Sequence, residues 1–350
     1  MTCMSRAETG ARSENVVVDI STDRASAPPD RLTGVAVSAV ANLGGVALFL
    51  FGVQIVTGIL LLAYYRPAAD AASASMGIIN DEVRFGWLVR SVHWWSSDLL
   101  ILVGLLHLVR VYFSRGYAAP RQMAWVSGIL LFIVILGFGF TGTLLPWDQY
   151  AYWSIDSSRE TIVTIPLIGN ILLALFWGGW EIGQEVLLRF YALHISILPW
   201  LALVCLSMHL GLLWRARRIE SSALRPVSSR AARWFAAGMV DVFIAALLLC
   251  AGLLTLAIVF PPELAPPADP LSPLAHVQPR WYLLPARQLL RHLSGGVASL
   301  VTAALLALIL LVPFIDRSAA PSSASRTVHW VLGAAAVAAW VFLALRQYMS

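Results

Sequence analysis

Two stretches decide how this chain is read: SVHWWSSDLLILVGLLHLVRVYF (residues 91–113) and RFYALHISILPWLALVCLSMHLGLLW (residues 189–214). Each is apolar and long enough to cross a bilayer, which takes roughly 20 residues of helix. Each carries two histidines: His93 and His107 are fourteen residues apart, His194 and His209 fifteen. At 3.6 residues per turn, a step of fourteen turns through a net of about −40° and a step of fifteen through about +60°. Both histidines of a stretch therefore lie on roughly one face, separated by about 21–22 Å along the axis. Side by side, two such helices set His93 opposite His194 and His107 opposite His209.

Ionisable residues inside a membrane are costly and are functional hypotheses by default. A single such histidine is explained by a hydrogen bond to a neighbour. Two long-spaced pairs on two spans are not explained by packing. Zinc needs its ligands gathered at one point, and these pairs hold their members a helix length apart. Haem iron accepts axial imidazoles, so each pair is read as the two ligands of one iron. Glycine spacing supports the same reading. Gly44 and Gly58 are fourteen apart on the first apolar segment, and Gly128 and Gly142 fourteen apart on the third. Gly lets a backbone approach closely, as a flat macrocycle between packed helices requires.

The bulk numbers fit a polytopic membrane protein. Of 350 residues, 59% are hydrophobic and only 12% charged, and the mean hydropathy is +0.76. The net charge of +5 rests on arginine, since no Lys occurs. The arginines cluster at segment ends, which points to membrane topology and not to nucleic acid. Cys3, Cys205 and Cys250 form no disulfide framework and no haem-attachment motif.

Residues 1–33 read as a polar cytoplasmic tail without the apolar core of a signal peptide. About seven spans follow, near Val35–Tyr65, Val92–Phe113, Ala124–Leu145, Phe190–Trp214, Phe235–Phe260, Val297–Ile315 and Val328–Leu345. The fold class is all-α, with a four-helix bundle over residues 34–218 and a three-helix part over 219–350. Residues 146–189 read as short surface helices. With the N-terminus inside, fifteen arginines fall on inner segments and nine on outer ones, and the link between spans four and five carries six. The positive-inside rule favours that orientation, in a bacterial inner membrane. His93 and His194 then lie toward the outer face, His107 and His209 toward the inner.

Several motifs resemble cytochrome b of the bc-type quinol oxidoreductases. The carriers are VQIVTGILLLAYYRP, FGWLVRSVH, RVYFSRGY, TGTLLPWDQYAYW and RFYALH in the first part. This part is most similar to the shorter cytochrome b of oxygenic photosynthesis. PPADPLSPLAHVQPRWYLLPARQLLR and LVPFID resemble the separate three-span subunit of that branch, here joined on. The resemblance implies two haems b, the outer held by His93 and His194 and the inner by His107 and His209. It implies a quinone site near each face, with electrons crossing the membrane between them. Arg90 and Arg110 resemble family arginines near the haem propionates, and an arginine fork suits a carboxylate. Implied partners are a Rieske iron–sulfur protein or equivalent, a c-type cytochrome and other membrane subunits, in a dimeric complex.

Three departures from the family stand out. Its outer quinol site carries Pro-Glu-Trp-Tyr, the Glu accepting a proton, whereas this chain has Pro279, Arg280, Trp281 and Tyr282. Arginine is no carboxylate base, so another acid takes the proton or the site does not oxidise quinol. Glu263, Asp269 and Asp148 are the nearby acids in sequence, and Tyr282 remains a donor to a quinone oxygen. Asn42 stands where the photosynthetic branch has the Cys that holds an extra haem, so no covalent third haem is expected. Trp94 follows the first ligand where that branch has Arg. On the inner side, Asp241 matches a family carboxylate near the inner quinone site. His276, His292 and His329 have no partner at haem spacing and read as surface or interface residues. The second functional reading is a haem-bearing electron conduit or anchor without quinol oxidation at the outer site, motivated by Arg280. A haem-free transporter is the third.

Overall fold

The computed structural model describes residues 42–178, 181–223, 231–274, 277, 279–316 and 323–349, with side chains outside 221–243, Leu290, 323–324 and 347–349. The polar tail, His276 and the side chain of Asp241 lie outside the described residues.

Leucine-rich runs with few charges form the spanning helices, because in hydrocarbon each backbone polar group must be satisfied within its own segment, and shorter helices join them. In chain order these are α1 (Leu43–Leu62), α2 (Ala72–Asp81), α3 (Gly86–Phe113), α4 (Gln122–Leu144), α5 (Gln149–Val163), α6 (Gln184–Ala192), α7 (Leu198–Ala223), α8 (Ala231–Val259), α9 (Leu284–His292), α10 (Gly295–Ile315) and α11 (Ser323–Met349). No strand occurs among the described residues, only an isolated bridge between Asp148 and Pro267. Among the described residues six helices are long and apolar enough to cross a membrane: α1, α3, α4, the run Gln184–Glu220, α10 and α11. The expected fifth span is α8, whose apolar part among the described side chains is the shorter Ile244–Val259. Exposed Ile59, Leu60, Leu247 and Leu300 give these helices an apolar outer surface of the kind that faces lipid.

Two boundaries differ from the sequence reading. The second span begins at Gly86 rather than Val92, so Arg90 lies inside the helix. That is tolerated because Arg90 donates to Asn80 Oδ1 at 3.2 Å and to the Pro262 carbonyl. The fourth span begins at Gln184, and α6 passes into α7 through a π turn over Leu193–Ile197. There the Leu198 amide donates to the Leu193 carbonyl. This wider turn holds one more residue than an α turn. It absorbs the odd residue of the fifteen-residue step, so His194 and His209 keep the phase of His93 and His107.

Between Leu144 and Gln184 the chain forms the short helices expected. Asp148 caps α5, its carboxylate accepting from the Ala151 amide at 2.8 Å, which satisfies one of the helix's orphan donors. Apolar packing on this side gathers Leu144, Trp147, Ile155, Trp177, Leu187 and Phe190.

The two parts of the chain are tied by polar contacts across an apolar seam. Trp95 Nε1 donates to the Phe260 carbonyl and Trp125 Nε1 to the Ile309 carbonyl, both at 2.8 Å. Asp316, from LVPFID, accepts from Arg115 and from the Tyr117 hydroxyl, both at 2.6 Å. His329 stacks on Tyr112 at 4.3 Å between ring centres, and its Nε2 lies 3.1 Å from the Tyr112 carbonyl. It is thus an interface residue, whereas His292 is exposed.

Candidate functional site

The four span histidines stand on α3 and on the α6–α7 run, and each is backed by a glycine of a neighbouring helix. A Cβ added at Gly58 would lie 3.3 Å from His93 Cε1, and one at Gly44 3.3 Å from His107 Cε1. On α4 the same construction at Gly142 gives 2.9 Å to His194 Cε1, and at Gly128 3.0 Å to His209 Cε1. The sequence reading assigned these glycines to a macrocycle gap. In the structure their missing side chains make room for the imidazoles.

Hydrogen bonds then fix the tautomer of three rings. The Thr57 hydroxyl donates to the Val53 carbonyl at 2.7 Å, so its oxygen is left to accept from His93 Nδ1, 2.8 Å away. Thr141 repeats this, donating to the Gly137 carbonyl at 2.8 Å and accepting from His194 Nδ1 at 2.9 Å. His209 Nδ1 lies 2.9 Å from the Ala124 carbonyl, which only accepts, and 3.1 Å from the Ser127 hydroxyl. All three rings therefore carry the proton on Nδ1 and present a Nε2 lone pair, the arrangement that prepares an imidazole to bind a metal. His107 Nδ1 is buried without a hydrogen-bond partner. Gln54 strengthens the α1–α3 contact at this level, donating to the His93 carbonyl at 2.7 Å and to the Ser96 hydroxyl at 2.8 Å.

His194 is within Coulombic reach of His93, and His107 of His209. Among the described residues no three His, Cys, Asp or Glu side chains gather at one point, which disfavours a zinc cluster. Two imidazoles at each of two levels, three of the four with a prepared Nε2, fit haem iron. The supporting hydroxyls were legible in the sequence but were not read. They directly precede glycines in Thr57-Gly58, Ser127-Gly128 and Thr141-Gly142, and the fourth such dipeptide is Leu43-Gly44.

Of the two candidate propionate arginines, Arg90 is buried near the start of α3 and lines a pocket with Asn80, Trp87, Pro262 and Glu263. Arg110 is exposed near the other end of α3, within Coulombic reach of His107.

The run Arg280-Trp281-Tyr282 opens a short 3-10 turn over Trp281–Leu283, and Pro285 then starts α9, where its missing N–H costs nothing. Tyr282 packs against Leu50, Leu100, Ile101 and Ile135 of α1, α3 and α4. Its hydroxyl is buried without a hydrogen-bond partner among the described residues, and burial pushes the phenol's pKa up. Arg280 reaches Asp98 of α3, Nη2 to Oδ2 at 2.5 Å, and its guanidinium lies 4.3 Å from the centre of the Trp94 ring. Asp98 was missed by sequence reasoning, although an acid inside a span is itself a signal.

Comparisons with known proteins agree with this geometry. The family model described as cytochrome b/b6/petB matches residues 29–217, and that described as cytochrome b (C-terminal)/b6/petD matches residues 267–348. The cytochrome bc complex cytochrome b subunit of Chlorobaculum thiosulfatiphilum is 37% identical over 294 residues, covering 81% of this chain and 67% of that one. Cytochrome b6 of Gloeobacter violaceus is 44% identical over 167 residues, covering 48% of this chain and 78% of that protein. Among solved structures, a hyperthermophilic respiratory Complex III chain superposes with a TM-score of 0.76 at 27% identity, covering 87% of this chain and 82% of its own. The chain belongs to the cytochrome b/b6 family, the membrane-embedded cytochrome b of bc-type quinol oxidoreductases.

Proposed function

We propose that this chain is the di-haem electron carrier of a bc-type complex, with quinone sites toward both membrane faces. His93 and His194 would hold one haem b toward the outer face, and His107 and His209 the other toward the inner face. Bound there, haem iron supplies one-electron transfer. The chain's own part is to fix four imidazoles, through glycine-backed packing and through Nδ1–H bonds at three of them. Arg90 and Arg110 would neutralise propionates. Asp241 would serve proton delivery at the inner quinone site, and Arg280, Trp281 and Tyr282 belong to the outer one. A Rieske-type iron–sulfur protein and a c-type cytochrome are the proposed partners, in a dimeric assembly of a bacterial cytoplasmic membrane with the N-terminus inside.

The observation that carries this reading is the double pair of glycine-backed imidazoles, three of them with a prepared Nε2. Pyridine haemochrome analysis of the purified chain should give two haems b per polypeptide, none covalently attached. One haem, or none, would defeat the assignment. A further expected result concerns Thr141. Thr141→Val keeps the shape and removes the Nδ1–H acceptor of His194. Loss of such a supporting bond lowers metal affinity by about 10–100-fold, so one haem should dissociate during gel filtration. Thr141→Ser should retain it. Equal haem content in both variants would show that the bond is not needed.

A further inference from the structure

The two unusual residues of the outer region touch each other. Arg280 departs from the family pattern and Trp94 from that of the photosynthetic branch, and the Arg280 guanidinium lies 4.3 Å from the centre of the Trp94 ring, where a cation–π contact forms. The same guanidinium is bonded to Asp98, with side-chain exposures of 20% for Arg280 and 15% for Asp98. Burying an arginine in a membrane protein without a counter-charge is strongly unfavourable, so the position that lost a carboxylate has gained one from another helix.

We propose that Asp98 is the proton-accepting carboxylate of the outer quinol site, held in place by Arg280. This rests on the reading above that quinol is oxidised there. Arg280 engages Oδ2, and no hydrogen bond among the described residues reaches Oδ1. An ionised carboxylate accepts through both oxygens, so Oδ1 keeps its capacity to take a proton. Tyr282 supplies the second polar group, a buried hydroxyl with no partner, within Coulombic reach of Asp98 and Arg280. Tyr150 of α5 is within reach of Arg280 and Tyr282, and of Asp148 and Arg287 besides. The other acids of this region stand in other surroundings. Asp148 caps α5, Asp269 binds its own turn through the Leu271 amide and the Ser272 hydroxyl, and Glu263 lines the Arg90 pocket. The Arg280–Asp98 pair also removes the charge argument for a conduit that lacks quinol oxidation.

In the reaction, a quinol O–H bond breaks and an O–H bond forms on Asp98 Oδ1. The second proton is lost from the other hydroxyl, whose oxygen stays on the ring as the second quinone carbonyl. Overall, one quinol and two molecules of ferricytochrome c give one quinone, two of ferrocytochrome c and two protons.

The test uses the complex purified intact from native membranes, with duroquinol and menadiol as probes and ferricytochrome c as acceptor. A positioned general base contributes about 10²–10⁴-fold, so Asp98→Asn should slow quinol oxidation at least about 100-fold. The dithionite-reduced haem spectrum should stay unchanged. The acidic limb of the kcat/KM pH profile should disappear, and Asp98→Glu should restore it. Oxidation by Asp98→Asn at the parental rate, with the same acidic limb, would overturn the assignment. If the parent complex oxidises neither probe while its haems reduce with dithionite, the outer-site reading itself fails, and this proposal with it. Should Asp98→Asn not assemble, Asp98→Asn/Arg280→Gln removes both charges and is judged by the same two rates.

Discussion

Replacing His209 by leucine is expected to remove one of two haems b and to leave the other in place. The two histidines of α3 are separated by about 21 Å of helix axis, and the supporting groups at the two levels are different residues. Ser127 and Ala124 serve His209, whereas Thr141 serves His194 and Thr57 serves His93. Sites this far apart with no shared partner behave independently. The pyridine haemochrome value should therefore halve, and the reduced-minus-oxidised spectrum should lose one component. His194→Leu should remove the complementary component. Loss of both haems from either variant, or of neither, would break the pairing of His93 with His194 and His107 with His209.

The second large effect is expected at Gly142. A Cβ there would sit 2.9 Å from His194 Cε1, closer than carbon atoms pack, and a valine adds two methyl groups. The imidazole has no easy retreat, because Thr141 holds Nδ1 and Phe138 lies edge-on at 5.5 Å between ring centres. Overpacking of this kind typically costs about 1–3 kcal/mol, and here the strain falls directly on a ligand. Gly142→Val should release the haem at that level, seen as half the haem content with the Gly128-level haem retained. The contacts are looser at Gly44 and Gly58, each at 3.3 Å. Alanine should consequently be tolerated better at those two positions than at Gly142 or Gly128. An alanine series with the opposite order of haem retention would refute this ranking.

Much of this was legible in the sequence, because a membrane helix has few ways to hide a ligand. His93, His107, His194 and His209 are rare polar groups in long apolar runs, and their spacing follows from helix geometry alone. The glycines were legible as a pattern, but their contact was not. Which atom meets Gly58 depends on how α1 and α3 rotate about their axes, and only the packed structure fixes that. Thr57, Ser127 and Thr141 escaped notice because small hydroxyl residues are unremarkable in a membrane span, where they usually bond their own helix. Here they do so and also accept from a neighbouring ring. The Asp98–Arg280 pair joins residues 182 positions apart, beyond what spacing along one helix can show. Asp98 was nevertheless visible as an acid in a span, but nearness along the chain points from Arg280 to the loop acids Glu263 and Asp269 and not across to α3.

The π turn at Leu193–Ile197 has a consequence for how such a chain tolerates a change of length. Losing one residue from a membrane helix normally swings everything beyond it through about 100° and takes a ligand off its face. Here the surplus residue is stored as a local bulge between His194 and His209. A deletion within that bulge would let the wall close into an ordinary α-helix while both rings kept their aim. The bulge thus acts as slack in the rod, and a fourteen- or fifteen-residue interval becomes two settings of the same grip.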